Sequence, residues 1–473
     1  MSFRRVASLG TADAFRAHLA SSGIELPFDA ELAPSAESPF AWPLEVDGVR
    51  VGNRFCVLPM EGWDASAAGE PTDLTRRRWL HFGSSGAKLI WGGEAVAVRH
   101  DGRANPNQLL LTHRTASSIE RLRLDLVAAH VERFGTSSDL LVGLQLTHSG
   151  RFSRPDSYDR PEPLVAHNHP ILDRRFPEGV RLLSDGDLDR LVDDFVVAGR
   201  LARDAGFHFV DVKHCHGYLA HELLSARERC GPYGGSFPNR TRFLRKIVAG
   251  LRAEAPGLGV AVRLSVFDTV PWRRRADGRG EAEGASSLPG FGLLDGDLDA
   301  ALDNARELLR LLESLGVRWV CVTAGSPYYN PHVQRPALFP PSDGYDPPED
   351  PLRGVARQIE ATARLKSSFP RLVFVGSAYS YLQEWLPHVG QRVLREGKAD
   401  FVGLGRVVLT YPDFAADVLQ GRKIRRHRLC RTLSDCTTAP RNGLPSGCYP
   451  LDRFYGEGKG AAEFRRAKDR LRA

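Results

Sequence analysis

Apolar residues recur at helical spacing ahead of short, wholly apolar runs, and this two-part pattern repeats along the chain. Leu188, Leu191, Val192, Phe195, Val196 and Ala202 form one stripe, with Ser184 or Asp185 able to cap its start and Gly206 able to end it. Residues 207–212 then read as a strand. Leu298, Ala301, Leu302, Ala305, Leu308, Leu309, Leu312 and Leu315 make a second stripe, closed by Gly316 and followed by a strand over 317–322. Strands are likewise predicted over 54–58, 88–91, 140–145, 259–263, 371–375 and 400–404. Eight short strands alternating with helical stretches predict an α/β chain folded as a (β/α)8 TIM barrel with insertions. The competing open, doubly wound sheet would announce a dinucleotide by G-x-G-x-x-G after an early strand; neither that fingerprint nor a Walker-type loop is found. Three segments read as additions to a 45–420 barrel: an N-terminal extension over 1–44, a polar, glycine-rich excursion over 273–298 after the fifth strand, and a basic, cysteine-containing tail over 421–473. The excursion is expected to be a lid or a contact surface.

Composition narrows the setting. With 473 residues, 42% hydrophobic and 26% charged, the chain can bury a large core. Its formal charge of +7 comes mostly from dispersed arginine, so a solvated surface is expected and no nucleic-acid partner. Seven cysteines in so long a chain do not suggest a disulfide scaffold and fit a reducing cytoplasm. Asp13, Arg16 and His18 interrupt any apolar core of a signal peptide, and no run of 18 apolar residues occurs, so no membrane partner is expected.

In a barrel, residues just past each strand face one mouth. The richest of these stretches is Asp211-Val-Lys213-His214-Cys215-His216-Gly217-Tyr218, ionisable groups where a buried strand gives way to a loop. Gly376, Ser377 and Ala378 after the seventh strand, with Gly405 and Arg406 after the eighth, place backbone N–H groups and one guanidinium where barrels commonly hold a phosphate. A metal at residues 213–216 is not expected, because adjacent strand residues point to opposite faces.

Six stretches carry a resemblance: residues 53–60 (NRFCVLPM), 145–151 (QLTHSGR), 216–225 (HGYLAHELLS), 233–240 (YGGSFPNR), 262–265 (VRLS) and 403–406 (GLGR). In content and order they closely resemble the Old Yellow Enzyme family of FMN-dependent ene-reductases, over about residues 45–420. The resemblance is nearest the branch of 2,4-dienoyl-CoA reductase and trimethylamine dehydrogenase, but without that branch's second nucleotide-binding region. It implies an FMN-binding barrel that takes hydride from NADH or NADPH and delivers it to an activated C=C bond of an enone-, dienoyl- or carboxylate-bearing small molecule. A homo-oligomer is the expected assembly.

Carried over position by position, Pro59, Met60, Ala95 and Gln145 would line the isoalloxazine, and Arg263 would sit where reduction builds negative charge. Gly376, Ser377, Ala378, Gly405 and Arg406 would hold the phosphate. Tyr218 falls on the position that supplies a proton to the substrate, and His332 resembles an active-site histidine of the dienoyl-CoA reductase branch. The family holds its substrate's oxygen with a pair three residues apart, often two histidines or His and Asn; here the pair is Lys213 and His216. An ammonium there points to an anionic substrate, or else Lys213 pairs with a nearby acid. His214 and Cys215 are expected to support packing. In the tail, Cys436 and Cys448 keep the final spacing of a four-cysteine set, while Leu429 and Thr432 stand where earlier ligands would fall and Cys430 is displaced by one. A 4Fe-4S cluster is therefore not expected. Alternatives remain: a flavin-dependent dehydrogenase or demethylase on the same fold, a Schiff base on Lys213, or a degenerate barrel acting as a binding partner.

Overall fold

The computed structural model describes residues 3–284 and 288–470. Parts of the expected extension (1–2), excursion (285–287) and tail (471–473) lie outside the described residues.

Eight parallel strands form the barrel: β1 (Phe55–Val57), β2 (Leu89–Ile90), β3 (Leu141–Thr147), β4 (Phe209–Val212), β5 (Gly259–Ser265), β6 (Trp319–Thr323), β7 (Val373–Gly376) and β8 (Phe401–Leu404). Each pairs with the next, from Cys56 opposite Leu89 and Leu89 opposite Leu141 round to Val375 opposite Phe401. Val402 opposite Phe55 closes the ring. All eight expected strands are present. Their residues are almost entirely buried, as required of a parallel sheet covered on both faces.

The outer layer is α1 (Asp73–Gly83), α2 (Ala116–Phe134), α3 (Asp185–Asp204), α4 (Arg242–Glu254), α5 (Asp303–Ser314), α6 (Pro351–Ser368), α7 (Leu386–Arg395) and α8 (Phe414–Leu419). In α3, Ser184 caps the first turn by accepting from the Asp187 amide at 3.1 Å. Leu188, Leu191, Val192, Phe195 and Ala202 turn into the core. Gly206 adopts φ +81°, which ends the helix and lets β4 begin.

Side chains fill the barrel. Cys56, Leu89, Trp91, Leu141, Phe209, Ala261, Cys321, Val375 and Phe401 pack together inside it. Phe209 fits because β3 carries glycine: a first side-chain carbon at Gly143 would lie 2.2 Å from that ring. A hairpin, Leu44–Val46 with Val49–Val51, precedes β1. The N-terminal segment belongs to the same core as the barrel helices, with Phe15 stacked on Trp385 at 4.6 Å. None of the helices in the described residues is long and apolar enough to cross a membrane.

The excursion and the tail take up different positions on the barrel. The excursion contains a hairpin, Trp272–Arg274 with Gly280–Ala282, and packs against Tyr345 and Arg175 rather than over the mouth. The tail runs back across the barrel: Leu429 joins the main core, Ser434 Oγ donates to Phe339 O at 2.6 Å, and Arg77 pairs with Asp452 at 2.9 Å. Arg441 closes the contact on Asp343 at 2.6 Å.

Candidate active site

The loops at the C-terminal ends of the strands enclose a cavity of about 240 Å³. Pro59 and Met60 reach it from β1, Gln145 from β3, and Lys213, His216 and Tyr218 from β4. Arg263 enters from β5, Ser377 and Ala378 from β7, and Gly405 and Arg406 from β8. Residues scattered over some 350 positions converge because strand ends share one rim.

Three expected site residues lie off this lining. Ala95 sits on a short strand, Ala95–Ala97, in register with Gln145, where it backs that residue. Gly376 lies behind Ser377 against the Tyr379 ring. His332 is turned toward the excursion: its Nδ1 is 2.7 Å from the Tyr345 hydroxyl and its ring meets Trp272 edge-on at 4.6 Å. Burial pushes its pKa down to about 4, which favours the neutral ring.

Asp211, on β4, organises the cavity floor. One oxygen accepts from Trp91 Nε1 at 2.7 Å and from Gln145 Nε2 at 2.5 Å, and the other from the Arg263 amide at 2.6 Å. The Arg263 guanidinium itself makes no ion pair among the described residues; Nη1 donates to Pro59 O at 3.3 Å and Nε is buried without a partner. The cation thus faces the cavity rather than an internal carboxylate. Arg406 behaves alike: Nη2 donates to Pro336 O at 3.2 Å, while Nη1 is buried and unpartnered. Strand β8 can come this close because it carries glycine, a carbon on Gly403 falling 2.3 Å from Gly376 O.

At the end of β4, Lys213 and His214 point to opposite sides as strand neighbours do, and the positive φ of His216 takes that residue out of the alternation and back to the cavity. His214 turns away, its Nδ1 2.8 Å from Val212 O, and burial lowers its pKa to about 4. Cys215 is fully buried, its thiol pushed up to about 12. His216 adopts φ +68° and faces the cavity, with Nε2 3.3 Å from Gln334 Nε2 and 3.4 Å from Thr323 Oγ1. Burial first, then Arg263 and Lys213, hold its pKa well below the usual range, so the ring is neutral.

Lys213 meets Glu61, of the two alternatives open for its charge. The ammonium forms a short ion pair with Glu61 Oε1 and lies 3.6 Å from the Tyr218 ring centroid. Glu61 Oε2 accepts from Tyr218 at 2.7 Å and from Trp63 Nε1 at 3.0 Å, and Tyr218 shares a 2.9 Å hydrogen bond with Tyr328. Burial, then Glu61, raises the Tyr218 pKa well above its ordinary value, so the phenol keeps its proton. The loop carrying Glu61 is itself pinned: Gly62 donates to Glu94 at 2.6 Å, and Arg78 bridges Asp64 and Glu94 at 2.7 and 3.0 Å.

Glu61, Asp211 and Tyr328 are among the site residues to which sequence reasoning assigned no role. Glu61 directly follows the quoted Pro59-Met60 and carries a charge at a strand end, a signal of the same kind as Lys213. The tail is the larger addition, since Cys436, Thr437, Pro440, Arg441, Cys448 and Tyr455 all line the cavity. Its three cysteines are free thiols, and no group of three or more His, Cys, Asp or Glu among the described residues is arranged to hold a metal ion.

Comparison with known proteins bears on the family and the fold. The profile of the NADH:flavin oxidoreductase / NADH oxidase family matches residues 40–279, just over half of the chain. An NADH:flavin oxidoreductase of Gibberella zeae is 28% identical over 244 residues, 48% of this chain and 56% of that protein. An NADPH dehydrogenase of Geobacillus sp. is 29% identical over 239 residues, 48% of this chain and 64% of that protein. The matches thus span less than two-thirds of these relatives. Among solved structures, the old yellow enzyme homologue from Zymomonas mobilis superposes with a TM-score of 0.57 at 19% identity, over 81% of this chain and 93% of that one, a likeness of fold. With the motifs, the barrel and the profile in agreement, the chain belongs to the NADH:flavin oxidoreductase / NADH oxidase family, whose flavin is FMN.

Proposed function

We propose that this chain is an FMN-dependent oxidoreductase that passes hydride from NADH or NADPH to the activated C=C bond of a small enone or dienoyl substrate. The observation that carries this reading is the Arg263 guanidinium, buried in the cavity wall with no ion pair among the described residues. A buried cation in that position is stabilised by a group that gains negative charge, as a flavin does on reduction. The residues fit FMN elsewhere as well. Arg406, with a buried unpartnered Nη1 beside Ser377, Ala378 and Gly405, would take the phosphate. Gln145, its amide nitrogen held by Asp211, presents its carboxamide oxygen as an acceptor for a ring N–H.

When bound, FMN accepts a hydride in one half-reaction and gives it up in the other. The chain's own residues do the rest. His216, neutral, and Lys213 flank the space where a substrate oxygen would be held. Tyr218 would deliver a proton from its hydroxyl oxygen to the substrate carbon next to the one that receives hydride, and Tyr328 would resupply it across their 2.9 Å contact. The tail, closing the cavity, would exclude water. On this reading 45–420 is the catalytic barrel, 1–44 an extension packed on it, and 421–473 a segment that completes the cavity wall.

Anaerobic mixing tests the proposal. Protein loaded with FMN should bleach with NADH or NADPH and recolour with cyclohexenone; Tyr218→Phe should leave bleaching intact and slow recolouring by roughly 10²-fold. A protein that takes up no FMN, or one that no enone reoxidises, would refute it. A second reading, oxidation of an amine or ring substrate, is favoured by one contact: Tyr218 already donates to a carboxylate, Glu61, that could accept a proton. Bleaching by an amine without nicotinamide would select it.

A further inference from the structure

The Lys213–Glu61 pair bears on which substrates this cavity admits. Lys213 stands where the family pattern places a neutral imidazole, and alone it would favour anions. Its side chain is 3% exposed, so an unpaired ammonium there would either seek an anionic ligand or give up its proton. Glu61 removes that demand from within. One carboxylate oxygen takes the ammonium, and the other takes Tyr218 at 2.7 Å and Trp63 at 3.0 Å. The carboxylate cannot swing aside freely, because Gly62, next in sequence, is held at 2.6 Å by Glu94, and Glu94 and Asp64 are locked by Arg78.

We infer that Glu61 is the specificity-determining residue of this site: a built-in counter-ion that commits the cavity to uncharged, polarised substrates and turns away carboxylates and phenolates. An incoming carboxylate would either set a second anion beside Glu61 on one ammonium or displace Glu61 and strip that largely buried carboxylate of its cation, and either costs more than the new contact returns. A cation fares no better, since it would approach the ammonium while both Glu61 oxygens are occupied. A neutral carbonyl meets neither obstacle. The Lys213 ammonium has three hydrogens, of which one goes to Glu61, so it can still donate to a carbonyl oxygen. The inference rests on the functional reading above only for the location of the substrate.

An isosteric pair of ligands separates charge from shape. Cinnamamide and cinnamate differ in an amide against a carboxylate, and their binding to FMN-loaded protein can be titrated by perturbation of the flavin spectrum, without turnover. Wild type should prefer cinnamamide by at least about tenfold. Glu61→Gln, which keeps the shape and an acceptor for Lys213 but removes the charge, should reverse the order by a similar factor. Glu61→Asp, which restores the charge, should recover the wild-type preference. Equal affinities in wild type, or an unchanged ratio in Glu61→Gln, would overturn the inference; the first needs no variant to fold. Should the protein take up no FMN, the functional reading fails instead, and the same two affinities read by calorimetry still decide the role of Glu61.

Discussion

Gln145 gives its side-chain amide hydrogen to Asp211 at 2.5 Å, and that contact dictates which end of the amide faces the cavity. A carboxylate that also accepts from Trp91 and from the Arg263 backbone has nothing to donate, so the Gln145 oxygen must point the other way. Asp211→Asn replaces an acceptor with a donor at this junction. We expect thermal stability to fall by roughly 1–3 kcal/mol, since a buried donor loses its partner. FMN affinity should drop about tenfold, because the Gln145 amide is free to turn. Equilibrium dialysis and thermal melts check both, and an unchanged FMN affinity would detach Gln145 from the cofactor.

Arg406 is expected to hold the phosphate of the flavin and no other part of it. Arg406→Ala should weaken FMN by about 10–100-fold, as loss of charge-assisted hydrogen bonds does, while leaving the affinity for riboflavin, which has no phosphate, nearly unchanged. Equal losses for the two flavins would mean that the guanidinium shapes the cavity instead.

Asp268 makes stability depend on pH. Burial, outweighing hydrogen bonds from Tyr329 at 2.6 Å, Asn330 and the Thr269 amide, pushes its pKa up to about 6. A raised carboxylate pKa means that the folded protein retains a proton which the unfolded chain releases. Its contribution is therefore complete below the unfolded value near 3.8 and is lost as pH rises through about 6. The change is on the order of 1–3 kcal/mol. Denaturant titrations between these limits should show it in wild type and lose it in Asp268→Asn; parallel profiles would contradict the assignment.

The tail should govern retention of the flavin. A chain ending at Gly421 lacks the Arg441–Asp343 and Arg77–Asp452 contacts and the cavity wall made by Thr437, Pro440 and Tyr455. FMN should dissociate at least about tenfold more readily, and its fluorescence should become quenchable by iodide. Equal quenching in the full and shortened chains would remove the tail from the site.

The barrel was legible in the sequence because its determinants are local: buried parallel strands are short apolar runs, and the helices that cover them carry stripes at 3.6-residue spacing ended by glycines such as Gly206 and Gly316. The residues at the strand ends followed, since in a barrel they share a rim: Lys213, Tyr218 and Arg406 could be named from position, and Gln145 and Arg263 from the family resemblance. Contacts between segments distant in the chain could not. Lys213 and Glu61 lie 152 positions apart, and whether an ammonium holds a ligand or a neighbour depends on a meeting that no spacing records. His332 and the tail make the same point from opposite sides. A histidine in a suggestive loop turns outward to Tyr345, and a segment read as a basic appendage folds back to wall the cavity, because packing against the whole surface chooses among places that local pattern leaves equivalent. The sequence alone determined the barrel and the chemical groups at its mouth; the tertiary structure decided which of those groups face the ligand and which neutralise one another, because charge compensation and burial arise only when distant strands are brought together.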